Sequence, residues 1–274
     1  MICEAMQAGI DGRLSAVLTR PCSDECLDHP VIVLLSAGFA PKAGPFRMYA
    51  QLAENLANAG FACLRFDLGG LGDSVDLDAG WSRFDTTQQD IREMLDFVQR
   101  EIGPRRFVLG GLCSGAEDSF HYGLRDERVV GLVLIEPHHF PTKRSWLGSV
   151  LFRLKRRLMR TFGWYRPLDS SQPGDAGLVQ QTAFGDYQYS TIAQVRDGLT
   201  QYLGRRLPVH YVYTGGSAET YTYRNQVFDM VGIKDLHQIV SVDRFPEISH
   251  TPIYLCDRER LATSITDWAK RHFA

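Results

Sequence analysis

An α/β fold built on a mainly parallel sheet is the class this sequence predicts, and three observations predict it. Short aliphatic and β-branched runs recur at Val31–Leu35, 61–66, 106–109, Val129–Ile135 and 209–213, with a further one at 238–242. They are continuous rather than alternating, which suits strands covered on both faces. Between them lie helical patterns: Tyr49, Leu52, Ala53 and Leu56 share one face of 46–58, and Ile91, Met94, Leu95 and Val98 share one face of 90–102. Strand and helix alternate, so the crossovers are right-handed and the strand C-termini with their loops fall along one sheet edge.

The elements follow in order. Residues 2–20 read as two strands around Ile10-Asp11-Gly12-Arg13, where the glycine supplies the positive φ of a tight turn. Nearly all later strands fit single crossovers, but about 70 residues from Pro137 to Pro208 separate two of them. That interval is predicted as an insertion, with 1–137 and 208–274 as the core and 138–207 as a helical cap. Leu147, Leu151, Leu154, Leu158 and Phe162 recur at helical spacing among Arg153, Lys155, Arg156, Arg157 and Arg160; a loop at 170–175 and a helix at 191–203 complete the cap.

The 274 residues are 44% hydrophobic, which excludes fibrous and disordered classes. Lys+Arg 30 against Asp+Glu 32 gives a net charge of −2, without the basic excess of a nucleic-acid binder. The balance is uneven: eight Lys/Arg and no Asp/Glu lie between His138 and Leu168, so the remainder carries 22 basic and 32 acidic residues, a formal −10. A solvated helix face accounts for this segment; an acidic acyl carrier or an anionic membrane surface would also suit it. Six cysteines without repeating spacing read as thiols of a reducing cytoplasm. Neither a signal peptide nor an 18-residue apolar stretch is visible, so a cytoplasmic chain with no integral membrane segment is expected. Cys22, Cys26 and His29 have loose spacing and no fourth ligand nearby, so no metal is expected there.

The sharpest local feature is Phe107-Val108-Leu109-Gly110-Gly111-Leu112-Cys113-Ser114-Gly115-Ala116. A strand runs into a helix through a strained turn that demands small residues two positions either side of a nucleophile. Gly111 and Gly115 frame Cys113; framing Ser114 would put Leu112 and Ala116 in those places. The N-terminus of the following helix favours thiolate. A phosphate loop would need Lys after Gly115, and a dinucleotide fingerprint would need another glycine pattern; neither is present.

These residues resemble the α/β-hydrolase superfamily over nearly the whole chain. Ser36-Ala37-Gly38-Phe39 stands at the family's oxyanion loop, and Arg65-Phe66-Asp67-Leu68-Gly69-Gly70-Leu71-Gly72-Asp73-Ser74 resembles its F-D-x-x-G-x-G-x-S segment. The elbow follows at Cys113, and Ile248-Ser249-His250-Thr251 stands where the family has its histidine. With Gly44-Pro45-Phe46-Arg47-Met48-Tyr49, the chain more narrowly resembles serine-aminopeptidase-like hydrolases, including those associated with exosortase systems. The elbow cysteine itself is similar to that of dienelactone hydrolases.

A thiol nucleophile needs a base, and a histidine held by a carboxylate is the usual solution. Of eight histidines, His250 follows the final strand at the same sheet edge as Cys113. The orienting acid is expected at Glu219, counted from Gly216 in the loop after 209–213, with Glu136 after the preceding strand as the alternative. The amides of Phe39 and Ser114 are the oxyanion donors. His138, His139, Arg47 and Tyr49 are candidate substrate contacts, whereas Asp67 and Asp73 are expected to stabilise loops. The expected chemistry is hydrolysis of an ester or thioester through an acyl-Cys, with a small-molecule or carrier-bound acyl substrate and no cofactor. Acyl transfer or cyclisation to a non-water acceptor, or a noncatalytic binding role for the same fold, are the alternatives.

Overall fold

A computed structural model describes residues 1–22, 29–77, 80–103, 105–161 and 189–274. Among them, eight strands form one sheet in the order β1-β2-β4-β3-β5-β6-β7-β8. β1 (Ile2–Ala8), β2 (Leu14–Arg20) and β4 (Cys63–Phe66) are joined by antiparallel pairing. From β4 through β3 (Val31–Leu35), β5 (Phe107–Leu112), β6 (Val129–Ile135), β7 (Val209–Thr214) and β8 (Val240–Phe245), every pairing is parallel. The β1–β2 turn forms as expected, with Asp11 at φ 53° and Gly12 at φ 70°.

Alternate side chains of each continuous apolar strand feed two cores. One face collects Val33, Leu35, Leu109, Leu132 and Leu134 with helix α2 (Arg83–Ile102). The other collects Ile32, Leu34, Val108 and Val133 with α1 (Met48–Asn58) and the last helix, α7 (Leu255–Phe273). α2 starts earlier than its apolar period predicts, because Ser82 caps it by accepting from the Asp85 N–H at 3.1 Å.

Two other helices border the long interval. α4 (Lys143–Thr161) lies where the basic amphipathic pattern predicts it, after α3 (Ser114–Gly123) in the chain. α5 (Ile192–Gly204) carries a capping box at Thr191 and Gln194, and buries Val195, Leu199 and Tyr202 in the first core. It therefore packs as the crossover between β6 and β7, correcting its expected place in the cap. The helix follows tertiary burial that the periodicity alone left open. Phe162 and the loop at 170–175 lie outside the described residues, as does Cys26. Among the described residues no helix is long and apolar enough to cross a membrane. A short helix, α6 (Gln226–Val231), completes the connection from β7 to β8.

Candidate active site

The parallel register sets three strand ends side by side: Leu112 pairs with Ile135, and Ile135 with Val212. The next residues, Cys113 and Glu136, are each tied to the neighbouring strand. Cys113 N–H donates to Ile135 O at 2.8 Å, and Glu136 N–H to Val212 O at 2.8 Å. Both leave the sheet in a left-handed conformation, Cys113 at φ 53° and Glu136 at φ 51°. Neither is a glycine, so each is held there by its surroundings.

The glycines around Cys113 explain the turn. A Cβ on Gly111 would lie 2.7 Å from the Gly115 carbonyl carbon, and one on Gly115 would lie 2.6 Å from Leu35 O. Strand and helix approach too closely at this elbow for any side chain at either position. From below, the Leu112 N–H donates to the Tyr49 hydroxyl at 2.7 Å. Tyr49 is fully buried, which corrects its expected role: it supports the elbow backbone rather than a substrate. The Ser114 hydroxyl accepts from Gly38 N–H at 2.9 Å, fastening the loop before Phe39 to the start of α3.

His250 stands between Cys113 and a carboxylate. It is hydrogen-bonded to Cys113, and its Nδ1 lies 3.3 Å from Glu136 Oε2. The second Glu136 oxygen accepts from the Thr214 N–H and hydroxyl, each at 2.5 Å, and from the Ser217 hydroxyl at 3.2 Å. Burial pushes the Glu136 carboxyl up, but the hydrogen bond and charge of His250 and the Thr214 donors outweigh it, so it titrates below its ordinary value. Burial likewise opposes charge on His250; the hydrogen bonds to Cys113 and Glu136 and their negative charges overcome this and raise the imidazole to about 10. The arrangement sets the Cys113 thiol beside an imidazole held in its charged form, with a buried carboxylate behind it.

Glu219, the first expected acid, is placed away from His250, and the alternative, Glu136, is the carboxylate beside it. The Glu219 carboxylate lies 3.6 Å from Arg153 Nε and its side chain is 39% exposed, against 4% for Glu136. The reason lies in the loop after β7. A Cβ on Gly216 would fall 2.7 Å from Glu136 Oε2 and 2.8 Å from His250 Nδ1, so the loop is pressed onto the pair already formed. It then supplies the Ser217 hydroxyl to Glu136 and carries Glu219 out toward α4.

His138 is also corrected. It is buried, with Nδ1 3.1 Å from Glu117 Oε2 and Nε2 3.1 Å from the Tyr211 hydroxyl, so it belongs to an internal polar network. His139 is half-buried with Nδ1 3.2 Å from Pro137 O, and Arg47 is exposed in a left-handed turn at φ 65°. Asp67 and Asp73 hold loops, as expected: both bind Lys42 Nζ, at 2.7 and 2.6 Å.

Sequence reasoning missed Glu117 and Tyr189. Glu117, one turn into α3, is buried; its Oε1 accepts the Ser190 N–H at 2.7 Å, and the Ser190 hydroxyl lies 2.8 Å from His121 Nε2. Burial raises the Glu117 carboxyl, but its bonds to His121, His138 and Ser190 dominate and hold it well below the carboxylate range. This anchor sets the preceding residue, Tyr189, with its hydroxyl 3.9 Å from Cys113 Sγ. Burial and the negative charges of Cys113, Glu117 and Asp118 push the phenol above its ordinary value, so it remains a donor. The only available signal was a glutamate one helical turn beyond Cys113.

A parallel sheet whose strand-end elbow carries a nucleophile-type residue beside a histidine and a carboxylate defines an α/β-fold hydrolase. Residues 29–187, more than half of the chain, match the family described as serine aminopeptidase, S33, and the chain belongs to that family. Solved structures of the same fold include an esterase from Pyrococcus furiosus, with TM-score 0.64, 14% identity, and coverage of 100% of this chain and 92% of that one. The α/β hydrolase GrgF from Penicillium sp. sh18 aligns with TM-score 0.63 and 15% identity over 100% of this chain and 99% of that one. A lidless α/β serine hydrolase from Xanthomonas campestris aligns with TM-score 0.56 and 15% identity over 99% and 94%. A search of curated sequences returns no match.

Proposed function

We propose that this protein hydrolyses an ester or thioester through an acyl group carried on Cys113. The observation that carries the reading is Cys113 in its strained turn, hydrogen-bonded to a His250 that is itself backed by the buried Glu136. In the first half-reaction the thiolate Sγ attacks the acyl carbonyl carbon, and the carbonyl electron pair moves onto oxygen. The Phe39 and Ser114 amides are assigned to that oxyanion; such donors each supply about 3 kcal/mol. Collapse expels the alkoxide or thiolate, which takes the proton from the His250 imidazolium. In the second, His250 removes a proton from water as it attacks the thioester; release of the carboxylic acid restores the thiolate.

The test is intact-protein mass spectrometry after incubation with a panel of acyl esters and thioesters. A single adduct mapping to Cys113 by peptide analysis is expected, retained in Ser114→Ala and lost in Cys113→Ala. Mapping is required because Cys3, Cys22 and Cys256 are also exposed. An adduct that survives in Cys113→Ala would overturn the assignment.

Tyr189 is assigned as a donor to the thiolate and then to the polarised acyl group. Tyr189→Phe is expected to slow acylation about tenfold, the size of one hydrogen bond to a charged group. An unchanged acylation rate would reduce Tyr189 to shaping the pocket wall.

A further inference from the structure

α4 is amphipathic in the reverse sense to a packed surface helix. It rests on the body through small polar residues: Ser145 is fully buried, Ser149 Oγ donates to Glu219 O at 2.5 Å, and a Cβ on Gly148 would fall 2.6 Å from Thr222 Oγ1. Its leucines turn outward. Leu147, Leu151, Leu154 and Leu158 are 52–58% exposed, and Trp146 beside them is 64% exposed. Their spacing of four, three and four residues places them in one stripe, about 16 Å long at 1.5 Å per residue. Among the described residues, packing does not account for apolar side chains in this position.

The same helix carries seven Lys/Arg and no Asp/Glu, of which Lys143, Arg144, Arg153 and Arg157 are described and exposed. Charge therefore selects among occupants. A second copy would bring another α4 with the same seven positive charges, so a symmetric pairing along this stripe is opposed by its own charge. An acidic protein would satisfy the arginines but leave a four-leucine ridge to be matched by a groove. An anionic bilayer satisfies both at once: leucines and Trp146 enter the boundary between headgroups and acyl chains, while the basic side chains remain among the phosphates.

From this geometry we infer that α4 is a membrane-surface helix that docks the protein on anionic phospholipid. The docking does not depend on the chemistry at Cys113. It places the helix that follows the β6 strand end, which bears Glu136, against the lipid, so that acyl substrates partitioned into the bilayer reach the protein on that side.

Vesicle co-sedimentation tests this with the full chain, using phosphatidylcholine alone and phosphatidylcholine with about one third phosphatidylglycerol. Binding at least about tenfold tighter to the anionic vesicles is expected, weakening as salt rises. Leu151→Asp with Leu154→Asp should abolish it, and Arg153→Gln with Arg157→Gln should weaken it about thirtyfold, at about 1 kcal/mol per basic residue. Both pairs are exposed, and circular dichroism with a thermal melt checks that each variant folds. Absence of binding, or equal binding by the leucine variant, would overturn the inference. So would a concentration-dependent dimer in light scattering that the leucine variant abolishes, or binding to polyglutamate as tight as to anionic vesicles and indifferent to the leucines.

Discussion

Glu136→Gln is expected to slow acylation and turnover by about 10²–10⁴-fold, while Glu219→Gln stays near the unmodified rate. The amide can keep its oxygen toward Thr214 and Ser217, which donate to Glu136 Oε1. Its NH2 then faces His250 Nδ1, where Glu136 Oε2 now accepts. Two donors cannot meet there, so the imidazole is driven to the tautomer that directs its lone pair at the amide and loses its role as base toward water. Glu219 makes no such contact, because its carboxylate lies against Arg153 at the surface. Burst kinetics with an activated ester measures both steps. A collapse in Glu219→Gln with a normal Glu136→Gln would return the acid role to Glu219.

His250→Ala is expected to lower turnover by about 10³–10⁶-fold, since the proton donor for the leaving group and the base for water are the same side chain. Its effect on pH dependence is more diagnostic than its size. With His250 raised to about 10, an imidazolium charge stands beside the Cys113 sulfur across the neutral range, and such a neighbour favours the thiolate. Alkylation of Cys113 by iodoacetamide should therefore be nearly level from about pH 6 to 9 in the unmodified protein. In His250→Ala it should rise with pH through the ordinary thiol range. The same shift makes folding stability depend on pH. The folded imidazole value lies above the ordinary 6.5, so its contribution is complete below 6.5 and is lost as pH rises through about 10. A steep alkylation profile in both proteins would mean that no ion pair forms.

Much of the fold was legible because it rests on local rules. The continuous run Val31-Ile32-Val33-Leu34-Leu35 could only be a strand covered twice, and the alternation of such runs with helical periods implied the crossovers. The elbow was legible for a steric reason: two glycines at fixed distance from Cys113 record how closely strand and helix approach, and the contacts at Gly111 and Gly115 are those contacts. His250 was legible from its position after the last strand. α5 was not placed correctly, because an amphipathic period states that a helix has a buried face but not which surface buries it.

What the sequence determined by itself was the class of fold, the strained elbow at Cys113 and the place of His250 after the last strand, since each is set by spacing along the chain. The tertiary structure alone decided which carboxylate stands behind His250. Glu136 and Glu219 both follow a strand and both precede the histidine in chain order, so no local pattern separates them. The choice is made by the β6–β7 register and by Gly215-Gly216, which press the next loop onto Glu136 and turn Glu219 away. Tyr49, His138 and Tyr189 were decided in the same way: whether a polar side chain supports the backbone, fills an internal network or reaches the thiol depends on partners 63 to 76 residues away in the chain. Spacing encodes what a residue can do, and long-range packing fixes which of those things it does.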